Sequence, residues 1–264
     1  MIFDTLAERG SPGDDSSQRP QGVPPLIHLP RRKPRLIVVG ALYRLYLSSR
    51  RILPRRLLTR WLLLTSWIFD RLALEQLSYW RGPEGTLELL RPQTIRLVQE
   101  ETRDARKVLD LGGGSGVVTK TLASLASNVI YADLDSHNVA AARATCAELS
   151  NVSIVLGDGL VVAEQDGPFD LICLFHVLEH LDRPTEALAA LRRHGERLLI
   201  EVPDVESNWL TEIRRREGLP LHSDDDHVTE FTDRGLLECL KTAGWHVDRF
   251  EKVNGALVAV ASSA

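Results

Sequence analysis

The sequence predicts an α/β fold in which a mostly parallel sheet ends in an antiparallel hairpin. Two observations support this prediction. From Arg106 onward, short apolar runs alternate with stretches of helical periodicity, a pattern typical of repeated βαβ units. Near the end of the chain, two β-like runs flank Asn254-Gly255, a dipeptide that strongly favours a tight hairpin turn.

The individual elements follow from these runs. Parallel strands are expected at 106–111, 128–133, 152–157, 169–174 and 197–202, with the hairpin strands at 245–253 and 256–261. Helices are expected at about 115–126, 136–149, 183–193 and 232–243. Ahead of the sheet, apolar residues recur at helical spacing after Pro54 and predict one or two helices between residues 34 and 80: Leu57, Trp61, Leu64, Ile68 and Leu72.

Composition divides the chain into three parts. Residues 1–25 are rich in Gly, Pro, Ser and Asp and predict a disordered tail, residues 26–100 a basic helical segment, and residues 101–264 the sheet domain. The net charge of the chain is −4, yet no Asp or Glu occurs between Ser16 and Phe69, where eleven residues are basic. A basic segment therefore adjoins an acidic body.

Cysteine usage and hydropathy favour a cytoplasmic protein. The cysteines Cys146, Cys173 and Cys239 are scattered without a C-x-x-C pair, which fits a reducing compartment. The first residues lack an apolar stretch of signal-peptide length, and the apolar runs 36–43 and 61–64 are too short to span a bilayer. We expect no transmembrane helix.

A glycine-rich turn follows the first predicted strand, in the sequence VLDLGGGSG of residues 108–116. Glycines let the backbone approach a ligand closely, and the start of the next helix presents free N–H groups. The dinucleotide fingerprint G-x-G-x-x-G fails here, because its third glycine would fall on Val117 or Thr119. A nicotinamide-dependent dehydrogenase is therefore disfavoured.

This turn resembles motif I of class I S-adenosylmethionine (SAM)-dependent methyltransferases, and the resemblance extends over residues 106–262. It implies a Rossmann-like, seven-stranded sheet flanked by helices, with S-adenosyl-L-methionine as cofactor. The residues that it implies for the cofactor site are Asp110, Gly112, Gly114 and Gly116 in the turn, Asp133 and Leu134 after the second strand, Asp158 and Gly159 after the third, and His176 after the fourth.

Roles within that set differ. The resemblance implies that Asp133 accepts hydrogen bonds from both ribose hydroxyls, which suits a carboxylate, and that Asp158 binds the adenine amine. An N-cap of the following helix is the alternative for both residues. We expect Asp110 to anchor the turn through backbone hydrogen bonds more than to touch the cofactor.

The segment after the fourth strand contains Val177-Leu178-Glu179-His180 and, with residues 202–204 and 226–231, resembles the small-molecule O-methyltransferase branch with a "VLEH" signature. This implies methyl transfer to an oxygen, with nitrogen as the alternative, on a small molecule, a sugar or a lipid-linked acceptor. His180 and His227 are the candidate catalytic bases, since histidine exchanges a proton near neutral pH. A purely structural histidine is the alternative for each.

Residues 176–180 also satisfy H-x-x-E-H, the inverted zinc-protease signature, but here they follow a strand. Some relatives with E-x-x-E-H bind a divalent metal that orients the acceptor hydroxyls. His176 occupies the first position of that pattern, so no metal is predicted.

The basic segment has three interpretations: a lid or docking segment at the acceptor pocket, a peripheral contact of residues 31–69 with anionic membrane, or a grip on nucleic acid. A nucleic-acid methyltransferase is disfavoured, because the chain lacks the Asn/Asp-Pro-Pro-aromatic motif of exocyclic amine methylation. A non-catalytic SAM-binding protein is the other alternative.

Overall fold

The structure is a computed structural model that describes residues 37–221 and 226–263, so the predicted tail over residues 1–25 lies outside the described residues. The described part of the chain divides into two units, one that ends at residue 52 and one that begins at residue 53. Helix α1, Ile37–Ser49, belongs to the first unit. All other elements belong to the second.

Seven strands form one sheet in the order β3-β2-β1-β4-β5-β7-β6. Their bounds are β1 Lys107–Leu111, β2 Asn128–Asp133, β3 Val152–Leu156, β4 Phe169–Phe175, β5 Gly195–Pro203, β6 His246–Val253 and β7 Ala256–Ser262. Strands β1 to β5 pair in parallel, and β7 runs antiparallel to both β5 and β6. The predicted fold class is confirmed, including the turn at Asn254 and Gly255, where φ is 49° and 80°.

Helices cover both faces of the sheet. Their bounds are α2 Arg55–Leu90, α3 Pro92–Glu101, α4 Val117–Ala123, α5 Ser136–Thr145, α6 Gly159–Asp166, α7 Pro184–Leu191, α8 Trp209–Glu217 and α9 Asp233–Thr242. Helices α6 and α8 were not expected from the sequence, and they begin at side-chain caps from Asp158 and Asn208. Within residues 37–221 and 226–263, no helix is both long enough and apolar enough to cross a membrane.

Helix α2 bends at Gly82, where φ is 71° and ψ is 173°. Pro83 follows directly, and proline cannot donate the hydrogen bond that would continue a straight helix. The predicted basic helices ended at Trp80, but the chain resumes a helical path beyond the bend and runs into α3. Beyond the bend, Glu84 of α2 pairs with Lys120 of α4 over 2.8 Å.

The core consists of two large apolar layers, one on each face of the sheet, and a smaller cluster of Tyr131, Val139 and Ala142 between β2 and α5. Leu109, Ile172 and Ile200 point into the layer that α6, α7 and α9 cover. Val108, Leu171 and Leu199 point into the layer that α3 and α4 cover. Because both faces of β1, β4 and β5 are buried, their sequences are nearly continuous apolar runs.

The packing around Gly116 gives a test of the fold. Gly116 has a φ of 80°, and a Cβ there would lie 2.9 Å from the Cα of Ala142 in α5, whereas Gly218 has a φ of 63° and open space around it. We expect Gly218→Ala to cost about 1–2 kcal/mol of strain alone and to lower Tm by a few degrees. Gly116→Ala should lower Tm at least twice as far, measured by thermal unfolding. Equal losses in the two variants would contradict the close α4–α5 packing.

Candidate active site

A cleft of about 1650 Å³ opens at the carboxyl ends of the parallel strands, and its opposite wall comes from the end of α2 and the start of α3. The strand order reverses between β1 and β4, and open α/β sheets bind ligands at such a switch point. Typical small-molecule pockets measure about 300–1000 Å³. The cleft is therefore large enough for two ligands side by side.

The glycine turn between β1 and α4 forms the floor of this cleft. A Cβ on Gly112 would lie 2.6 Å from Val177, so only glycine lets the ends of β1 and β4 approach this closely. Gly114 has a φ of 55°, and a Cβ there would meet no atom within 4 Å, so its open side faces the cleft. The hydroxyl of Tyr131 donates to the Gly114 carbonyl over 2.7 Å and fixes the turn from below.

Two predicted residues of the turn have structural roles. Gly116 does not line the cleft but packs on α5, and this close packing explains why a residue without a side chain stands there. Asp110 lines the cleft and accepts a hydrogen bond from the Thr119 hydroxyl over 2.6 Å, in place of the backbone amides expected from the sequence. Burial raises the pKa of Asp110 to about 6, although the Thr119 hydroxyl opposes this shift.

Asp133 stands at the end of β2 and organises the next two loops. Its Oδ2 accepts hydrogen bonds from the Gly114 amide and the Asn138 side chain, both over 3.2 Å, and its Oδ1 accepts from the Asp135 amide over 2.8 Å. A carboxylate has about four acceptor positions. One hydroxyl of a diol in the cleft would donate to the remaining acceptor position. The other would donate to Oδ2 in competition with one of the two 3.2 Å hydrogen bonds.

The other predicted adenosine residues lie along the same wall. Asp158 caps α6 by accepting from the Leu160 amide over 2.8 Å, and its second oxygen is not used in that bond. Leu134 is 76% exposed at the cleft edge. Gly159 also lines the cleft, and a Cβ there would overlap the side chain of Leu111.

His176, at the end of β4, lies between two fully buried carboxylates. Its Nδ1 is 3.1 Å from Glu179 Oε1, and its Nε2 is 3.4 Å from Glu201 Oε1. Burial alone lowers the pKa of His176, but the two carboxylates outweigh burial and hold that pKa above its ordinary value. Its φ of 57° is rare for a residue with a side chain and marks a conformation that the surroundings impose.

Glu201 on β5 pairs with His176 and was not predicted from the sequence as a site residue. Its carboxylate accepts hydrogen bonds from Gln93 and Thr94 of α3, and Gln93 in turn accepts from Asn254 in the hairpin turn. Burial raises the pKa of Glu201, but His176 and Thr94 outweigh it and keep the group ionised. A Glu within the apolar run of β5 was the signal that could have revealed it.

Glu179 faces the two histidines predicted to act as bases. Neither of its carboxylate oxygens has a hydrogen bond of regular geometry within the described residues, although the side chain is fully buried. One ligand atom each from Glu179, His180 and His227 lie within 4.8 Å of one another. This donor set also suits a divalent cation, so the predicted absence of a metal stays a prediction.

The chain segment that carries His227 is held by backbone hydrogen bonds to the turn that contains Glu179 and His180. The amides of Val228 and Thr229 both donate to the Glu179 carbonyl, over 2.9 and 3.0 Å. The rings of His180 and His227 consequently meet edge to face, with their centroids 5.0 Å apart. The structure thus brings together both predicted bases on the cleft wall.

Arg91, at the junction of α2 and α3, is a second residue that was missed in the sequence. It lines the cleft, and its guanidinium has no hydrogen-bond or ion-pair partner in the part of the chain that the structure describes. Its positive charge helps to keep Glu201 ionised. An unpaired arginine in a cleft suits an anionic group of a ligand.

The chain is similar to known proteins over this same region. A family model described as a methyltransferase domain matches residues 79–249, which is more than half of the chain. A ubiquinone biosynthesis O-methyltransferase of Methylococcus capsulatus is 29% identical over 121 residues, covering 43% of this chain and 51% of the relative. The chain thus spans about half the length of the curated relatives that it matches.

Solved structures share the fold at low identity. A SAM-dependent methyltransferase from Aquifex aeolicus superposes with a TM-score of 0.54 at 20% identity, over 72% of this chain and 98% of that one. The cyclase SpnF superposes with a TM-score of 0.52 at 17% identity, over 64% of this chain and 80% of that one. The predicted resemblance is confirmed, and the chain belongs to the methyltransferase-domain family.

Proposed function

We propose that the protein transfers a methyl group from SAM to an oxygen of a small-molecule acceptor, with nitrogen as the alternative. One observation carries this proposal: a single cleft joins the glycine turn and Asp133 to the paired rings of His180 and His227. The relatives named as O-methyltransferases support oxygen as the acceptor atom. The size of the cleft supports simultaneous binding of cofactor and acceptor.

At the cofactor end of the cleft, individual residues suit the separate parts of SAM. Asp133 would hold the ribose hydroxyls, while Leu134 and Asp158 would contact the adenine. The open side of Gly114 leaves room for the ligand that a side chain would fill. Arg91 would bind the carboxylate of the methionine portion, because it is an unpaired cation on the facing wall among the described residues.

The acceptor end supplies proton transfer and alignment. SAM brings an electrophilic methyl group, so the protein needs to align the acceptor, exclude water and remove its proton. His180 and His227 are the groups that would take that proton, since both line the cleft next to the turn that follows β4. The Glu179 carboxylate would hold the charged imidazole in place, as it is buried among three histidine rings.

The main alternative is binding of SAM without methyl transfer. Similarity to SpnF, a cyclase by name, indicates that this fold is compatible with other chemistry. Formation of S-adenosylhomocysteine (SAH) together with a product heavier by one methyl group distinguishes the two. For the acceptor we favour a small or lipid-linked molecule over nucleic acid, with anionic membrane contact through residues 31–69 as part of the proposal.

Two substitutions test the cofactor end with a binding measurement. Asp133→Ala should weaken binding of both SAH and 5′-methylthioadenosine by about ten- to a thousandfold, because both ligands carry the ribose and a hydrogen bond to a charged group contributes about 1.5–3 kcal/mol. Arg91→Ala should weaken SAH binding about tenfold or more and leave 5′-methylthioadenosine unchanged, because that nucleoside lacks the carboxylate. Calorimetric titration measures both affinities.

Matched controls exist for each variant. Asp135→Asn changes the neighbouring exposed acid and keeps its helix cap, and Arg183→Ala removes a cleft arginine that already pairs with Glu186. Both should bind the two ligands within about threefold of wild type. A loss of 5′-methylthioadenosine affinity in Arg91→Ala would contradict the carboxylate assignment.

Turnover tests the acceptor end. With isotopically labelled SAM and a metabolite and lipid extract of host cells, at least one of His180→Gln and His227→Gln should lower kcat about a hundredfold while binding SAH normally. Glu179→Gln should lower kcat with little change in KM for SAM. His137→Gln, at an exposed histidine on α5, is the control and should turn over normally. Normal turnover in all three site variants would contradict the proposed bases.

A further inference from the structure

The outer face of α2 exposes several large apolar side chains. Large side chains recur there at spacings of four and seven residues, which places them on one side of a helix. Trp61 is 66% exposed, Phe69 65%, Tyr79 88% and Trp80 73%, and Ile68 and Leu72 are also exposed. We call these six residues the α2 outer face.

The opposite side of α2 is fixed against α8, so the outer face points away from the domain. Arg214 of α8 is buried and donates to the Ser66 hydroxyl over 2.7 Å and to Asp70 over 3.3 Å. Glu217 accepts from Arg56 over 3.1 Å and also pairs with Arg60. The apolar stripe from which the sequence predicts a helix therefore lies on the exposed side of that helix.

Positive charge borders this face at its two ends, while one exposed acid on the same side, Glu75, pairs with Arg71 over 3.1 Å. Arg55 is exposed ahead of it, and Arg81 is exposed at its end, where its guanidinium lies 5.2 Å from the centre of the Trp80 ring. Further arginines precede the helix in the chain, and the first acidic residue after Ser16 is Asp70. Aromatic and apolar side chains bordered by arginine are the composition of helices that lie in a lipid headgroup region.

We propose that the α2 outer face docks on an anionic lipid bilayer. The charge at its borders favours anionic lipid and opposes pairing with the identical face of a second copy. The face is also wider than the narrow seam of a two-helix coiled coil, because Trp61 and Phe69 lie on different lines along the helix. Tryptophan and tyrosine prefer the interface of a bilayer.

The same helix separates this face from the cleft. Leu74 and Ser78 on the inner side of α2 line the cleft, as do Thr86 and Leu87 after the bend. Docking would therefore place the cleft near the bilayer surface and favour acceptors with an apolar chain and a polar, oxygen-bearing head. The docking deepens the membrane contact that is part of the proposed function, and this last step also rests on the proposed methyl transfer.

Sedimentation of the 264-residue chain with vesicles tests the docking. The probe is a vesicle of phosphatidylcholine with about a third phosphatidylglycerol, compared with phosphatidylcholine alone. The variant Trp61→Gln/Phe69→Gln/Trp80→Gln should lower affinity for anionic vesicles at least tenfold, because it removes apolar area that enters the headgroup region. Trp209→Gln changes a tryptophan that is 71% exposed on α8 and should bind vesicles like wild type.

Two further measurements test the role of charge and the possibility of self-association. Arg55→Gln/Arg81→Gln should weaken binding to anionic vesicles several-fold and reduce its dependence on salt. Normal SAH binding by every variant shows that it is folded and separates a failure of docking from a failure of the proposed function. Unchanged vesicle binding by the triple variant would overturn the proposal. So would a wild-type dimer that the triple variant converts to a monomer without any effect of vesicles.

Discussion

The buried carboxylate of Glu201 is the interaction on which the cleft depends. It joins three parts of the chain: α3 through Gln93 and Thr94, the end of β4 through His176, and the hairpin turn through the bond between Gln93 and Asn254. Removing one partner of a buried charge commonly costs about 3–5 kcal/mol, because the remaining charge is left uncompensated. The cluster therefore holds the two walls of the cleft at a fixed separation and fixes His176 in its rare backbone conformation.

The topology explains why these residues meet. Parallel strands bring their carboxyl ends to one edge of the sheet, and the reversal of strand order between β1 and β4 opens the crevice there. The glycine turn, Asp133 and His176 each follow a different strand of that edge. Residues far apart in sequence thus line one cleft, and in the proposed function one end of it binds a nucleoside and the other end transfers a proton.

Much of this was predictable from the sequence, for definite physical reasons. Strands buried on both faces leave continuous apolar runs, so β1 to β5 were located nearly to the residue. Asp133 and His176, at the ends of two of these strands, were implied by the resemblance to methyltransferases, and their roles stay predictions. Glu201 was missed because its partners lie on α3, and sequence spacing carries no information on a contact between residues more than one hundred positions apart. The spacing in α2 predicted a helix, but only packing against α8 shows that the apolar side faces outward.

The central claim is that the cleft at the β1–β4 switch point is built for a nucleoside that carries an amino-acid tail. Calorimetric titration of the wild-type protein with SAH, NAD and NADP tests it most directly. We expect saturable binding of SAH at one site per chain and none of NAD or NADP, because Val117 and Thr119 replace the third glycine of the dinucleotide fingerprint. Tight binding of NAD in the absence of SAH binding would contradict the claim.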